Sequence, residues 1–272
     1  MRNFRFKFLG TGTSSGIPVI GCECAVCRSS DPKDNRLRTS AAMEWVDDSG
    51  KPRTILIDTS PDLRQQALRF GVKRLDAIFF THNHVDHTFG LDEVRRYNAL
   101  QEQAIDVYAE PHTLNFLKRT FGHIFESEKN INQSFVATLI AWPLEIGRAI
   151  DLFGLRVTPL RVHHGRLPIA GFRIDASDAS SEILPLAYLT DVSAIPPETW
   201  PALRGTRTLV LDALRHRHHP THLTLGQAVG IAHEVRADRT YFVHMTHDLG
   251  HAATQAELPE DMMLAWDGLE LR

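Results

Sequence analysis

His82-Asn83-His84-Val85-Asp86-His87 packs three imidazoles and a carboxylate into six positions. Imidazole nitrogen together with carboxylate oxygen suits Zn2+, Mn2+ or Fe2+ better than Ca2+ or Mg2+, which favour oxygen shells. On an extended turn His82 and His84 point one way and Asp86 and His87 another, so one short loop could serve two ions. A second set, Cys22-Glu23-Cys24-Ala25-Val26-Cys27, holds all three cysteines of the chain. An odd, clustered set argues against a disulfide framework and for metal ligation. Tetrahedral zinc bound there would need one more protein ligand. Histidine is over-supplied, at 15, and recurs in His163-His164, in the basic run Arg215-His216-Arg217-His218-His219, and at His222, His244 and His247. Gly10-Thr11-Gly12 is followed by no Lys-Ser/Thr pair and opens no clear helix, so it is not a phosphate-binding P-loop. It reads as a tight turn at the floor of a site.

These groups need elements to position them. Phe4, Phe6 and Phe8 alternate with Arg5 and Lys7, the period of two of a half-buried strand. Residues 54–58 predict a second strand. After it, Ser60 as N-cap and Pro61 at the first position start a helix that stops at Gly71. The strand at 76–80 delivers the histidine cluster, and a helix over 91–100 follows. Further strands are predicted at 105–109, 155–160, 186–189, 208–211, 239–243 and 263–266. A helix is predicted over 223–235, with Thr224 a plausible cap. The 82–87 cluster, His163-His164, Asp191 and His244 each follow an apolar strand. Polar groups at the ends of several strands collect on one rim of a sheet, where α/β proteins place their sites. Strands and helices do not alternate strictly, so a two-sheet core with helices outside fits better than a doubly wound sheet.

The 272 residues, 43% hydrophobic and 23% charged, supply a core for one large unit, read as a single domain over 1–272 with a metal-binding loop at about 21–40. Thirty basic against 33 acidic residues give a formal net charge of −3, which provides no footprint for a long nucleic acid. No apolar run is long enough to span a membrane. The start of the chain interleaves charge with aromatics, unlike a secretory leader, so a cytoplasmic location is expected.

Thr81-His82-Asn83-His84-Val85-Asp86-His87 resembles the metal signature of the metallo-β-lactamase-fold hydrolases. Gly10-Thr11-Gly12, Asp58 and Asp191 also fall where that superfamily has matching features. The resemblance implies an α/β fold, a four-layer αββα sandwich with a one- or two-metal site on one edge. It makes His164, which the His164-Gly165 pair favours over His163, the third histidine of a first site with His82, His84 and Asp191. A second site would hold Asp86, His87, the bridging Asp191 and His244. Structural zinc sites are closed, so Cys22, Cys24 and Cys27 need a fourth ligand, and His247 is the candidate.

The cysteine loop combined with His244-x-x-His247 resembles the PhnP-type phosphodiesterases of the carbon–phosphorus lyase pathway. That resemblance implies hydrolysis of a small cyclic ribose or nucleotide phosphodiester by water activated between two divalent metals, Mn2+, Zn2+ or Fe2+, beside one structural Zn2+. Asp86 would orient the nucleophile, and His222 would protonate the leaving sugar oxygen. The basic run at 215–219 departs from the pattern, and Pro61-Asp62-Leu63-Arg64-Gln65-Gln66 resembles a segment of the PqqB type. The alternatives are a ribonuclease Z-like RNA phosphodiesterase and a non-catalytic PqqB-like small-molecule binding protein. The partner expected is a small phosphodiester, with no membrane and no long nucleic acid; a homodimer is left open.

Overall fold

Strands that are apolar on both faces must be covered on both, and this chain does so with four layers. In the computed structural model, which describes residues 1–131, 134–176 and 181–272, six strands lie side by side in chain order. They are β1 (Arg2–Gly10), β2 (Ser40–Val46), β3 (Pro52–Ile57), β4 (Ala77–Phe79), β5 (Ile105–Ala109) and β6 (Leu139–Pro143). A second sheet runs from β7 (Ile150–Leu152) through β8 (Leu155–His164), β9 (Leu167–Ala176), β10 (Leu186–Leu189), β11 (Thr208–Asp212) and β12 (Arg239–Val243) to β13 (Met262–Leu264). β14 (Glu270–Leu271) then returns to the first sheet, with Leu271 opposite Phe6 of β1.

Alternate residues of the same strands build three cores. Phe6, Phe8, Met43, Ile55 and Phe79 of the first sheet meet Val157, Phe172, Tyr188, Val210 and Tyr241 of the second. Leu56, Ile78 and Val107 turn outward beneath Leu63, Leu91, Leu114 and Leu117. Ala187, Leu189, Leu209, Leu211 and Phe242 do the same beneath Leu225, Ala228 and Ala232. The result is the αββα sandwich of the metallo-β-lactamase fold, and burial on both faces is why these strands read as unbroken apolar runs.

The strands at 105–109, 186–189 and 239–243 match the sequence reading, and Thr224 caps helix Leu225–Val235 through a capping box with Gln227. Other elements differ. The first helix is Leu63–Phe70, because the Ser60 hydroxyl accepts the Asp62 N–H in a local turn instead of capping. The stretch expected as one helix over 91–100 is a 3-10 turn, Leu91–Val94, leading into helix Arg95–Gln101. β8 runs four residues further than expected, to His164. Gly10-Thr11-Gly12 is not a tight turn. It continues β1 in extended form, Gly12 bridging to Arg38 on one side and Met245 on the other. Glycine is required there by close approach, since a Cβ on Gly10 would run into the Arg38 carbonyl.

One rim receives the site. β3 and β4 are parallel, as are β10, β11 and β12, so their C-terminal ends lie on common edges. Asp58, His82, Asp191, Asp212 and His244 lie at or just beyond those ends, and His164 closes β8. At this rim the Ala170 N–H donates to the Thr81 carbonyl at 3.0 Å and ties one sheet to the other.

Candidate metal centres at the sheet rim

The rim side chains converge into two adjoining clusters. His82, His84 and His164 present ligand atoms within 4.8 Å of one another, and Asp86, His87, Asp191 and His244 do the same. Asp191 lies between them: its carboxylate is 3.9 Å from His82 Nε2, 3.2 Å from His87 Nε2 and 3.3 Å from His244 Nε2. Asp86 is 3.5 Å from His87 Nε2 and 3.6 Å from His244 Nε2. The edge of a tetrahedron with metal–nitrogen bonds of about 2.0–2.1 Å is roughly 3.3 Å, so these separations suit groups that share an ion. The ring nitrogens His82 Nε2, His87 Nε2 and His244 Nε2 are buried and have no hydrogen-bond partner. Orphaned buried polar atoms are costly, and cations held in the two clusters would satisfy all three. The donor set therefore fits a pair of divalent metals.

Backbone geometry sets this convergence. Asp58, Asp191 and His244 have φ of 61°, 58° and 60°, the left-handed region that non-glycine residues seldom adopt. Each sits where an apolar strand ends, so strain is stored at the site itself. Supporting contacts fix the rings. His87 Nδ1 is 2.7 Å from Asp58 Oδ2, and the Asp58 carboxylate also accepts from the Thr81 N–H and hydroxyl, each at 2.8 Å. His164 Nδ1 lies 2.8 Å from the Thr221 carbonyl, an acceptor, so Nδ1 carries the proton and Nε2 is left for a ligand role. His163 is not brought into either cluster; its backbone pairs with Ala194.

Electrostatics separates the clusters. Burial, reinforced by neighbouring imidazoles, holds His82 well below its ordinary pKa, and burial also lowers His84 and His164. The first cluster is thus neutral and ready to ligate. In the second, burial disfavours charge but the carboxylates win. Asp191, Asp86 and Asp58 raise His87 well above its usual range, and Asp191, Asp86 and Asp212 raise His244. Burial would raise the Asp86 carboxyl, yet charge on His87 and the close approach of the His244 and His87 rings take it far below the carboxylate range. A cation entering this cluster would compete with protons for these ring nitrogens.

His222 stands at the edge of the clusters. Its ring centroid is 4.6 Å from that of His164 and 4.8 Å from that of His244, and its Nδ1 is 3.1 Å from Asp212 Oδ1. Asp212 also accepts from the Leu223 N–H at 3.0 Å. The basic run forms a turn next to it, in which the Arg215 guanidinium donates to the carbonyls of Arg217 and His218 and the His219 ring lies 5.2 Å from that of His222.

The thiols form a separate centre. His247 Nδ1 lies 3.3 Å from the sulfurs of Cys22 and Cys27 and 3.6 Å from that of Cys24. With metal–sulfur bonds of about 2.3 Å, a tetrahedral sulfur–nitrogen edge is roughly 3.5 Å. The Val19 N–H donates to Cys27 Sγ and the Cys27 N–H to Cys24 Sγ, both at 3.4 Å. The Cys27 N–H lowers the Cys24 thiol, whereas burial pushes Cys27 up to about 11. Ionising all three thiols together would require a cation between them, which this sulfur–nitrogen arrangement could hold.

Sequence reasoning placed Asp58 only as a superfamily feature and passed over two further supporting residues. Asp212 ends an apolar strand, a signal that could have found it. Arg36 gave none: its guanidinium is fully buried and donates to the carbonyls of Thr246, at 2.9 Å, and Leu249, at 2.5 Å.

Comparison with known proteins places this geometry in context. A family model described as a β-lactamase superfamily domain matches residues 53–245. A solved structure of a new diphosphatase from the PhnP family is 42% identical, covers 99% of this chain and 98% of its own, and superposes with a TM-score of 0.87. Among curated proteins, an octanoyltransferase of Porphyromonas gingivalis (strain ATCC BAA-308 / W83) is 37% identical over 98% of this chain but only 51% of its own length. The chain spans about half or less of the length of such curated relatives. Zn2+-bound PqqB from Methylobacterium extorquens, 19% identical with a TM-score of 0.76 over 98% of this chain and 99% of its own, shares the fold.

Proposed function

The chain belongs to the β-lactamase superfamily as a PhnP-like metallo-hydrolase, and from that premise we propose that it hydrolyses a small phosphodiester, a cyclic ribose or nucleotide phosphate being the substrate class. The observation that carries this reading is the set of buried, unpartnered ring nitrogens around Asp191. His82, His84, His164 and Asp191 would hold one divalent metal, and Asp86, His87, Asp191 and His244 the other. Cys22, Cys24, Cys27 and His247 would hold a structural zinc.

When bound, such cations supply Lewis acidity, which lowers the pKa of water and offsets charge on phosphoryl oxygens. The chain's own residues do the rest. Asp86, ionised and with its side chain partly open to solvent, accepts a hydrogen bond from the attacking water and aims it at phosphorus. Asp212 holds His222 by Nδ1 and leaves Nε2 for the reaction. In its charged form His222 donates the Nε2 proton to the departing sugar oxygen as the phosphorus–oxygen bond breaks, a role typically worth about 10²–10⁴-fold.

The test begins with metal counting on protein purified without chelator, alongside turnover of bis-p-nitrophenyl phosphate with added Mn2+. About three metals per chain is expected, with turnover that disappears in His84→Ala. A single zinc and no turnover would favour a binding protein on the same fold. His222→Gln is expected to slow hydrolysis of a 2′,3′-cyclic nucleotide by about 10²–10⁴-fold. The nitrophenyl ester, whose leaving group needs no proton, should lose far less, and equal losses would remove His222 from the proton-donor role.

A further inference from the structure

Arg36 is the largest of the side chains that are almost wholly enclosed, and nothing in the proposed chemistry uses it. Its two terminal nitrogens donate to the carbonyls of Thr246 and Leu249, which bracket His247. Asp34, 3.5 Å away, balances its charge and also accepts the His251 N–H at 2.7 Å. On the other side the Arg36 backbone exchanges hydrogen bonds with Ile17, five residues before Cys22. A guanidinium that spends its donors on main-chain carbonyls fixes the path of that chain, because its planar fork permits few geometries.

The path so fixed is short. His244, Met245, Thr246 and His247 are consecutive, and His244 sits at φ 60°, a conformation that surrounding structure must impose. Met245 is clamped by the Thr11 carbonyl at 3.0 Å and the Thr13 N–H at 3.1 Å, and the Thr246 N–H donates to the Leu214 carbonyl at 2.9 Å. His247 is held among the three cysteine sulfurs. Four residues therefore join the thiol centre to a ring of the histidine–aspartate centre, and Arg36 grips the link from its far side.

We propose that Arg36 and the occupied thiol centre together act as a positioning device for His244, so that metal bound by Cys22, Cys24, Cys27 and His247 raises the metal affinity of the Asp86–His87–Asp191–His244 cluster. This rests on the metal-centre reading above. Arg36 is a positioning residue, since it touches neither cluster of ligand atoms directly. Coupling of this kind is reciprocal: filling the histidine–aspartate centre tightens the thiol centre by the same factor.

The test uses metal-stripped protein in which the thiol centre is first refilled with one equivalent of Zn2+ or left empty. Co2+ is then titrated, and binding at the histidine centres is read from its d–d absorption, with thiolate-to-cobalt charge transfer reporting any cobalt at the cysteines. Zinc in the thiol centre is expected to tighten cobalt binding at the weaker histidine centre about tenfold. Arg36→Lys should lose most of that gain, with the His244 ring resonance shifting in 15N NMR. A role confined to stability would lower the melting temperature and leave the zinc-dependent gain intact. Should Arg36→Lys not fold, the wild type refilled with Cd2+, a larger thiophilic ion, gives an intermediate gain if positioning matters. Cobalt affinity that is the same within twofold with the thiol centre full or empty overturns the coupling alone. Absence of any cobalt at the histidine centres overturns the metal-centre reading, and the coupling with it.

Discussion

At the scale of single residues, the ligand candidates were legible because they are chemically unusual. Three imidazoles and a carboxylate in six positions, or three thiols in six, have few bland explanations. The residues that orient them were less legible: Asp58 stood out only through the superfamily resemblance, and a lone Asp212 at a strand end looks like any loop carboxylate. Asp58 is fully buried against His87, and contacts that orient a ligand typically govern about 10–100-fold of metal affinity. Asp58→Asn is therefore expected to weaken metal binding by that factor in a chelator competition, with turnover falling in parallel. His251 offers a prediction about pH. Burial, with Lys33 and Arg36 adding positive charge, pushes it down to about 4. The unfolded residue titrates near about 6.5. Below that pH the unfolded chain binds a proton that the native one refuses, so this contribution is present at neutral pH and is lost as pH falls towards 4. Urea midpoints at pH 7 and pH 5 should diverge more for the wild type than for His251→Gln, and equal divergence would exclude His251 as the cause.

At the scale of elements, strand positions followed from apolar runs and most boundaries held within a few residues. β2 and β9 escaped because their residues mix apolar and polar types without a clean period, and β7 and β14 because three and two residues are too short to show one. β6 is apolar throughout but carries no period, and its Ile140 and Trp142 are exposed at the margin of the sheet. The Gly10–Gly12 segment was misread for a different reason. Glycines there look like a turn, whereas the actual requirement is close approach of three backbones, those of β1, Arg38 and Met245. Gly10→Ala must push the Arg38 carbonyl aside, and overpacking of this type costs about 1–3 kcal/mol. The expected outcome is a lower urea midpoint with unchanged slope, accompanied by weaker metal retention because Met245 follows His244 directly. A variant as stable as the wild type would show that the loop yields freely.

At the scale of the whole molecule, each sheet contributes a share of the site. His82, Asp86 and His87 come from the first sheet, whereas His164, Asp191 and His244 come from the second. The superfamily signature made this arrangement legible, because the local motif has meaning only if distant strands bring the remaining ligands to it. The separation of those ligands along the chain also imposes an order on how the protein is made. Cys22 and His247 are 225 positions apart. At about 5–20 residues per second a ribosome needs roughly 10–45 s to cover that distance. Throughout that interval the three thiols exist without His247, and the first three histidines exist without Asp191 or His244. On the metal-centre reading proposed above, loading is thus a late event that follows docking of the two sheets, and the nascent thiols must be guarded from oxidants and stray thiophilic ions until then.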